Sequence, residues 1–569
     1  MVLLLVVGLV VARLVDVQLV GSDRYTSFGE EQRLRTSVLP AGRGAITDRS
    51  GDVLAVSDPR PTVYGDPALV TDPRSTAEAL AAVIDIDVDE VTEALSAEDR
   101  RFVYLARLVA DDEAEAVTEL DLEGIGVVDE LRREHPNGEL MARSLLGSVN
   151  DWNEPLGGLE LLHDDVLAGQ PGELTVESNE DGLPIPGGRT ELTPPVPGHE
   201  LALTIDRETQ WLAEELLVEQ VDATGAKGGL AVVMQTRTGE LLAAASVDAD
   251  PEGGPAGSSR GNRVFQDSFE PGSVGKLFTI AAALEQGLAS PDEAVQVPLF
   301  YQFSDKVFEE PYAPGDQVLT VTQILSESSN IGTIRIAERV GTESLHAFLG
   351  ELGIGRRTGL DGTDSFPGEQ SGKLRPVEDW RGTSLANIAF GQGFSVTGVQ
   401  LAAAYNTIAN GGTYVAPTLV RGAIDPDGAL TPLERPANRT VFSETTAEAM
   451  TEMLETVVTD GTGKRAAITG YRVAGKTGTA QKVDTATGQY SLSAYVATFA
   501  GFVPADDPQL TIVVALDEPT NGHLAGAVAA PLFSDIGSHA LQTLRIPPAE
   551  ETASAQETAS AQETAGAAG

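Results

Sequence analysis

Glu270-Pro271-Gly272-Ser273-Val274-Gly275-Lys276-Leu277-Phe278-Thr279-Ile280-Ala281-Ala282-Ala283-Leu284 places a serine and a lysine three residues apart at the head of an apolar run. Pro271 and Gly272 are poor helix-interior residues, so a helix is expected to begin at Ser273, a residue type favoured at N-caps. The residues that follow are apolar on every side, the pattern of a helix buried all round. Positions i and i+3 share a helix face, which directs Lys276 at the Ser273 hydroxyl. A serine hydroxyl is a weak nucleophile until a base takes its proton, and a desolvated lysine can be that base. Burial and the positive end of the helix dipole both favour a neutral Lys276. With 32 serines and 7 lysines in 569 residues, chance alone supplies roughly 0.4 of an S-x-x-K per chain, so the pair needs company.

Two further motifs follow in order. Ser328-Ser329-Asn330 sits where one helical pattern (Val321 to Leu325) breaks and another begins at Ile331, and Lys476-Thr477-Gly478-Thr479 lies in a β-rich stretch. They stand 55 and 203 residues beyond Ser273, leaving room for a helical layer between. A glycine in a strand leaves space for a ligand to approach its backbone. Gly470 to Thr477 also satisfies the phosphate-loop spacing G-x-x-x-x-G-K-[ST], which would make the protein a nucleotidase. A phosphate loop must open a helix, however, and Lys476 is followed by strand and turn residues. A Ser-His-Asp hydrolase fails as well, since Pro271 replaces the first glycine of G-x-S-x-G and no histidine accompanies the motifs.

The rest of the chain bounds the reading. Its length predicts two or more domains. The 85 acidic and 38 basic residues give a formal charge of -47, which argues against nucleic acid as a partner. With no cysteine there are no disulfides or zinc-thiolate sites, and the six histidines lack metal-ligand spacing. Residues 1–20 carry an apolar run, Val2 to Ala12, shorter than a full span and without a cleavage site, which reads as the outer part of a membrane anchor. Arg43 to Ala55 predicts a hairpin, and Ser75 to Ile84 and Val88 to Leu95 short helices. Pro184 to Pro197, rich in proline and glycine, predicts a linker or domain edge. Beyond it, Asp206 to Val221 reads as a helix. Strands are expected at Gly229 to Gln235, Leu241 to Ser246, Arg472 to Gln481, Ala494 to Val503 and Leu510 to Leu516. Their short connections imply a five-stranded, mainly antiparallel sheet with helices on both faces, an α+β architecture. The tail, 547–569, repeats Glu-Thr-Ala-Ser-Ala-Gln and is expected to be disordered.

The ordered set S-x-x-K, S-x-N, K-T-G resembles active-site serine penicillin-binding proteins and β-lactamases. From the anchor to about Leu544 the chain is similar to class B penicillin-binding proteins, the monofunctional peptidoglycan D,D-transpeptidases, and most to the cell-division FtsI type. Arg43-Gly44 through Asp48-Arg49-Ser50-Gly51, Gly157-Gly158-Leu159-Glu160, Phe390 to Thr397 and Asp460-Gly461-Thr462-Gly463-Lys464 carry the likeness further. His135 before Pro136, Gly398 where proline is usual, and the lack of a cytoplasmic tail before the anchor depart from the family pattern. The resemblance implies a non-catalytic pedestal at 21–195 and a transpeptidase domain at 196–546. It implies Ser273 as nucleophile on the penultimate D-alanine carbonyl of a stem peptide, with Lys276 accepting its proton. Ser328 would relay a proton, and Asn330 would hold Lys276 and the substrate amide. Backbone N–H groups of Ser273 and Thr479 would form the oxyanion hole, while Lys476, Thr477 and Thr479 would hold the terminal carboxylate beside Gly478. The implied partners are D-Ala-D-Ala stem peptides, β-lactams, division proteins and a membrane glycan-polymerising (SEDS) glycosyltransferase, with no metal or other cofactor. The implied place is the cell membrane, catalytic domain outside. Elongation-type transpeptidases, β-lactam sensors and β-lactamase-like hydrolases are the alternatives.

Overall fold

Apolar runs of about eight residues, joined by glycine-bearing turns too short for a helix, have one economical arrangement, an antiparallel sheet. The computed structural model describes residues 2–15, 33–97, 100–138, 140–179, 185–310, 315–359, 365–484 and 487–548. The repeat tail therefore lies almost wholly outside the described residues. Contacts divide the chain into two units, the first of residues 1–45, 56–134 and 165–200, the second of residues 46–55, 135–164 and 201–569.

In the first unit helices Pro73–Leu80, Val88–Leu95 and Asp111–Glu119 bury Leu80, Val91, Leu95 and Val117 in one core with Val63 and Val103. Asp72 and Asp87 cap the first two, accepting from the N–H groups of Ser75 at 3.2 Å and Asp89 at 2.8 Å, as short side chains with a free oxygen do at helix starts. A three-stranded antiparallel sheet joins Leu34–Leu39, Gly172–Glu177 and Thr190–Thr193. The last strand falls inside the proline-rich stretch read as a linker; Pro184 lies outside the described residues. The N-terminal helix runs Val2–Val15, and no helix among the described residues is long and apolar enough to cross a membrane.

The second unit is built on helix α1 (Arg207–Thr224), strands β1 (Gly228–Gln235), β2 (Leu241–Asp248) and β3 (Gly257–Ser258), helices α2 (Lys276–Glu285), α3 (Asn330–Val340), α4 (Gly398–Ala409) and α5 (Glu444–Thr459), strands β4 (Ala474–Val483), β5 (Tyr490–Val503) and β6 (Leu510–Asp517), and helix α6 (Ala525–Thr543). The sheet order is β3-β2-β1-β6-β5-β4, antiparallel throughout. The five expected strands are present, and the sixth is the two-residue β3, whose Gly-Ser sequence carries no strand signal. On one face Leu217, Val221, Phe499, Ile512, Phe533 and Ile536 close a core between the sheet, α1 and α6. On the other, α4 is buried along its whole length and α2 from Lys276 to Ala283.

The helix expected from Ser273 starts later. Gly272–Gly275 form a 3₁₀ turn, and the α-helix begins at Lys276. Gly272 has φ +57°, and a Cβ there would come within 3.0 Å of the Ala480 Cβ on β4. Packing against the sheet, absent from any local propensity, tightens this turn.

Segment 135–164 is tied to α1 by a buried carboxylate. The Ala142 N–H donates to both oxygens of Glu214, at 3.0 and 3.1 Å, and Gln210 Nε2 donates to the same group at 2.7 Å. Burial pushes Glu214 up to about 8. A folded-state pKa above the unfolded value means that the protonated form stabilises the fold. That contribution is complete below the ordinary carboxylate range and is lost as pH rises through about 8. Denaturant melts at several pH values should show wild-type stability falling over this interval by a few kcal/mol, and Glu214→Gln removing most of the decline.

Candidate active site

The sequence from Pro271 to Ala283 is buried at every position but one, and that one is Ser273. The turn carrying it is held from three directions. Gly272 N–H donates to the Gly391 carbonyl at 2.9 Å, and Tyr405 Oη of α4 donates to the Val274 carbonyl at 2.9 Å. Glu270 accepts from Gly393 N–H at 2.8 Å and from Tyr490 Oη at 3.0 Å, tying the turn to the start of β5. On the third side lies β4. A Cβ on Gly478 would sit 2.7 Å from the Pro271 carbonyl and 3.1 Å from Val274 N, so what this glycine admits is the nucleophile turn itself.

Lys276, first residue of α2, is fully buried. The i, i+3 reading directed it at Ser273, but the hydrogen bonds of its amine run to Ser328. It donates to Ser328 Oγ at 3.0 Å and, in closer contact, to the Ser328 carbonyl. Ser328 offers both groups because it turns the chain between helix Val321–Ser326 and α3 with φ +62°, a left-handed conformation that costs a non-glycine residue energy and clusters at functional sites. Ser329 Oγ accepts from Gly332 N–H at 2.9 Å and so caps α3. Asn330, half-buried, opens that helix. Desolvation lowers Lys276 to about 7, against the opposing charge of Glu310.

Lys476 is buried on β4, the edge strand of the sheet. Its amine donates to the Thr477 carbonyl at 3.1 Å. Burial, reinforced by the neighbouring Lys276 charge, holds it well below the usual lysine range. The same amine also reaches Thr477 Oγ1, at 3.4 Å. Thr477 Oγ1 lies 2.6 Å from Thr462 Oγ1, and Thr479 Oγ1 accepts from Ala525 N–H at the start of α6 at 3.1 Å. Thr479 keeps its O–H free to donate. Lys476 sits in mid-strand with no helix after it, so the phosphate-loop spacing corresponds to no phosphate cradle. Beside the turn opens a cavity of about 770 Å³ lined by Phe269, Glu270, Lys373, Ala480, Lys482 and Asp517 among others. None of the three motifs lines that cavity; they meet through Lys276 on Ser328, the mutual influence of Lys276 and Lys476, and Gly478 against Pro271 and Val274, which brings together a partly exposed serine, two buried amines and an edge strand. This set can acylate a serine and bind an extended peptide along the edge.

Glu310, Glu270, Tyr490, Tyr405 and Thr462 also hold the site, though none was singled out from sequence as a site residue. Thr462 belongs to a motif that marked the resemblance, and Glu270 adjoins the nucleophile. Glu310 carried no local signal.

The chain matches the penicillin binding protein transpeptidase domain over residues 229–538 and the penicillin-binding protein dimerisation domain over residues 38–203. It belongs to the class B penicillin-binding proteins, in which these two domains occur together. It is 37% identical over 554 residues to penicillin-binding protein PbpB of Mycolicibacterium smegmatis, covering 90% of this chain and 84% of the relative. It is 33% identical over 557 residues to peptidoglycan D,D-transpeptidase FtsI of Escherichia coli, covering 96% and 91%. The crystal structure of penicillin binding protein 3 from Mycobacterium tuberculosis complexed with aztreonam superposes with a TM-score of 0.69 at 30% identity, covering 90% of this chain and 98% of the other.

Filling the space at Gly478 tests the packing. Gly478→Val should push the turn off β4, lowering penicillin acylation by about 10²-fold while costing roughly 1–3 kcal/mol of stability. Stopped-flow labelling and thermal melts measure the two.

Proposed function

We propose that this protein is a serine-type peptidoglycan D,D-transpeptidase of septal cell-wall synthesis, acting on stem peptides that end in D-Ala-D-Ala and acylated by β-lactams. The observation that carries the reading is the exposure of Ser273 alone in a buried run, beside a buried amine anchored on Ser328. The E. coli relative is named a peptidoglycan D,D-transpeptidase, and the M. tuberculosis structure holds a β-lactam.

Ser273 attacks the penultimate D-alanine carbonyl as its proton passes to neutral Lys276. The developing oxyanion is received by the backbone N–H groups of Ser273 and Thr479, a preorganised pair of the kind worth ~10²–10³ in rate. Ser328, already bonded to Lys276, returns the proton to the departing amine, so D-alanine leaves neutral at nitrogen. Asn330 holds the substrate amide. The terminal carboxylate lies against Lys476, with Thr477 and Thr479, and its negative charge favours the protonated form of a lysine that burial otherwise holds well below the usual range. An acceptor amine from a second strand then attacks the acyl carbonyl, forming the cross-link and freeing Ser273.

In this reading residues 21–195 serve as a pedestal and 196–546 as the catalytic domain. Residues 1–20 contribute to a membrane anchor that keeps the site outside the cytoplasm. A SEDS-type glycosyltransferase supplies the glycan strands. The N-terminal apolar run, Val2 to Ala12, supports an anchored enzyme.

Fluorescent penicillin tests the assignment. Wild-type protein should form a long-lived adduct that mass spectrometry places on the Ser273 peptide, and Ser273→Ala should fold normally and remain unlabelled. Labelling that persists in the variant would move the nucleophile elsewhere, and rapid loss of the wild-type adduct would make the protein a hydrolase.

A further inference from the structure

Strands Phe300–Phe303 and Lys306–Glu309 form a hairpin with Phe300 and Val307 in solvent, yet the next residue, Glu310, is 7% exposed. Phe308 packs edge-to-face on Phe390 at 6.0 Å and fixes the base of the hairpin. From there Glu310 Oε1 accepts the N–H of Ile331 at 2.6 Å. The first N–H groups of a helix have no partner within it. In α3, Ile331 is served by Glu310 and Gly332 by Ser329 Oγ, so a side chain from a distant hairpin completes the cap of the turn that carries Ser328 and Asn330.

The same carboxylate bears the charge opposite to that of Lys276, which donates to the turn that Glu310 caps. The charged groups acting on the Lys276 amine among the described residues are Glu310 from the hairpin and Lys476 from β4. Helix Val321–Ser326 and the turn before α3 bring uncharged Ser328, and α4 brings Tyr405, whose hydroxyl is spent on the Val274 carbonyl. One acid therefore stands against two amines.

We propose that Glu310 is a positioning residue for acylation: one oxygen fixes the Ser328–Asn330 turn through Ile331 N–H, and its charge acts on the amine of Lys276. This rests on the acylation chemistry proposed above. Removing the charge while keeping an acceptor should make Lys276 lose its proton at lower pH, since the charge of Glu310 favours the charged form of Lys276.

The test is the pH dependence of acylation by a fluorescent penicillin, measured on the full chain. Wild-type rates should rise with a midpoint near 7, where Lys276 becomes neutral. Glu310→Gln keeps an acceptor for Ile331 N–H, and its midpoint should move down by about one unit. The plateau rate should drop with it, because a weaker base accepts a proton less well. Glu310→Ala should shift the midpoint the same way with a larger fall in rate, since Ile331 loses its acceptor, and it stands in if the glutamine variant does not fold. A folded variant whose midpoint stays at the wild-type value, or moves up, overturns the role of Glu310. A wild-type chain that takes up no penicillin overturns the acylation reading itself, and this proposal with it.

Discussion

Two lysine amines, Lys276 and Lys476, are fully buried near one another, and the charge of either one opposes the charge of the other. Burial alone can move a lysine by several pKa units; here desolvation brings Lys276 to about 7 and Lys476 well below its usual range, with Glu310 countering the shift at Lys276. A neutral amine at physiological pH is what a serine needs beside it, so the nucleophile's reactivity depends on how the fold keeps water from these two side chains. The 3₁₀ turn leading into α2, the turn leading into α3 and the edge strand β4 carry one motif each.

The close packing that excludes water also explains why small residues recur there. Gly272 rests on Ala480, and Gly478 lets β4 approach Pro271 and Val274. Any side chain at either place would lift the turn from the sheet, admit solvent and return Lys276 toward its ordinary range. Ser273, within the 3₁₀ turn, is the one residue of this run that is not buried.

Much of this was legible in the sequence. The order of Ser273, Ser328-Asn330 and Lys476-Thr477-Gly478 marked the three walls, and strands such as Gly228–Gln235 and Leu510–Asp517 were legible because buried β-strands are continuous apolar runs. What escaped was set by contacts far apart in sequence. The 3₁₀ turn depends on β4, some two hundred residues away, and local propensity points to a helix from Ser273 instead. The partner of Lys276 could not be read from i, i+3 spacing because Ser328 presents itself through a left-handed backbone that no serine advertises. Glu310 is one acid among 85, distinguished only by where its hairpin delivers it. Thr190–Thr193 pairs as a strand inside a stretch whose prolines and glycines signal a loop, because Gly172–Glu177 offers it an edge.

Whether the Lys276 amine sheds its proton near physiological pH is open to direct titration. The chain has 7 lysines, few enough for their amine resonances to be followed by NMR after ¹³C/¹⁵N-lysine labelling, with Lys276→Met identifying the signal. The Lys276 resonance should titrate with a midpoint near 7. A Lys276 amine that stays protonated until about pH 10, the ordinary lysine value, would contradict a neutral Lys276 base.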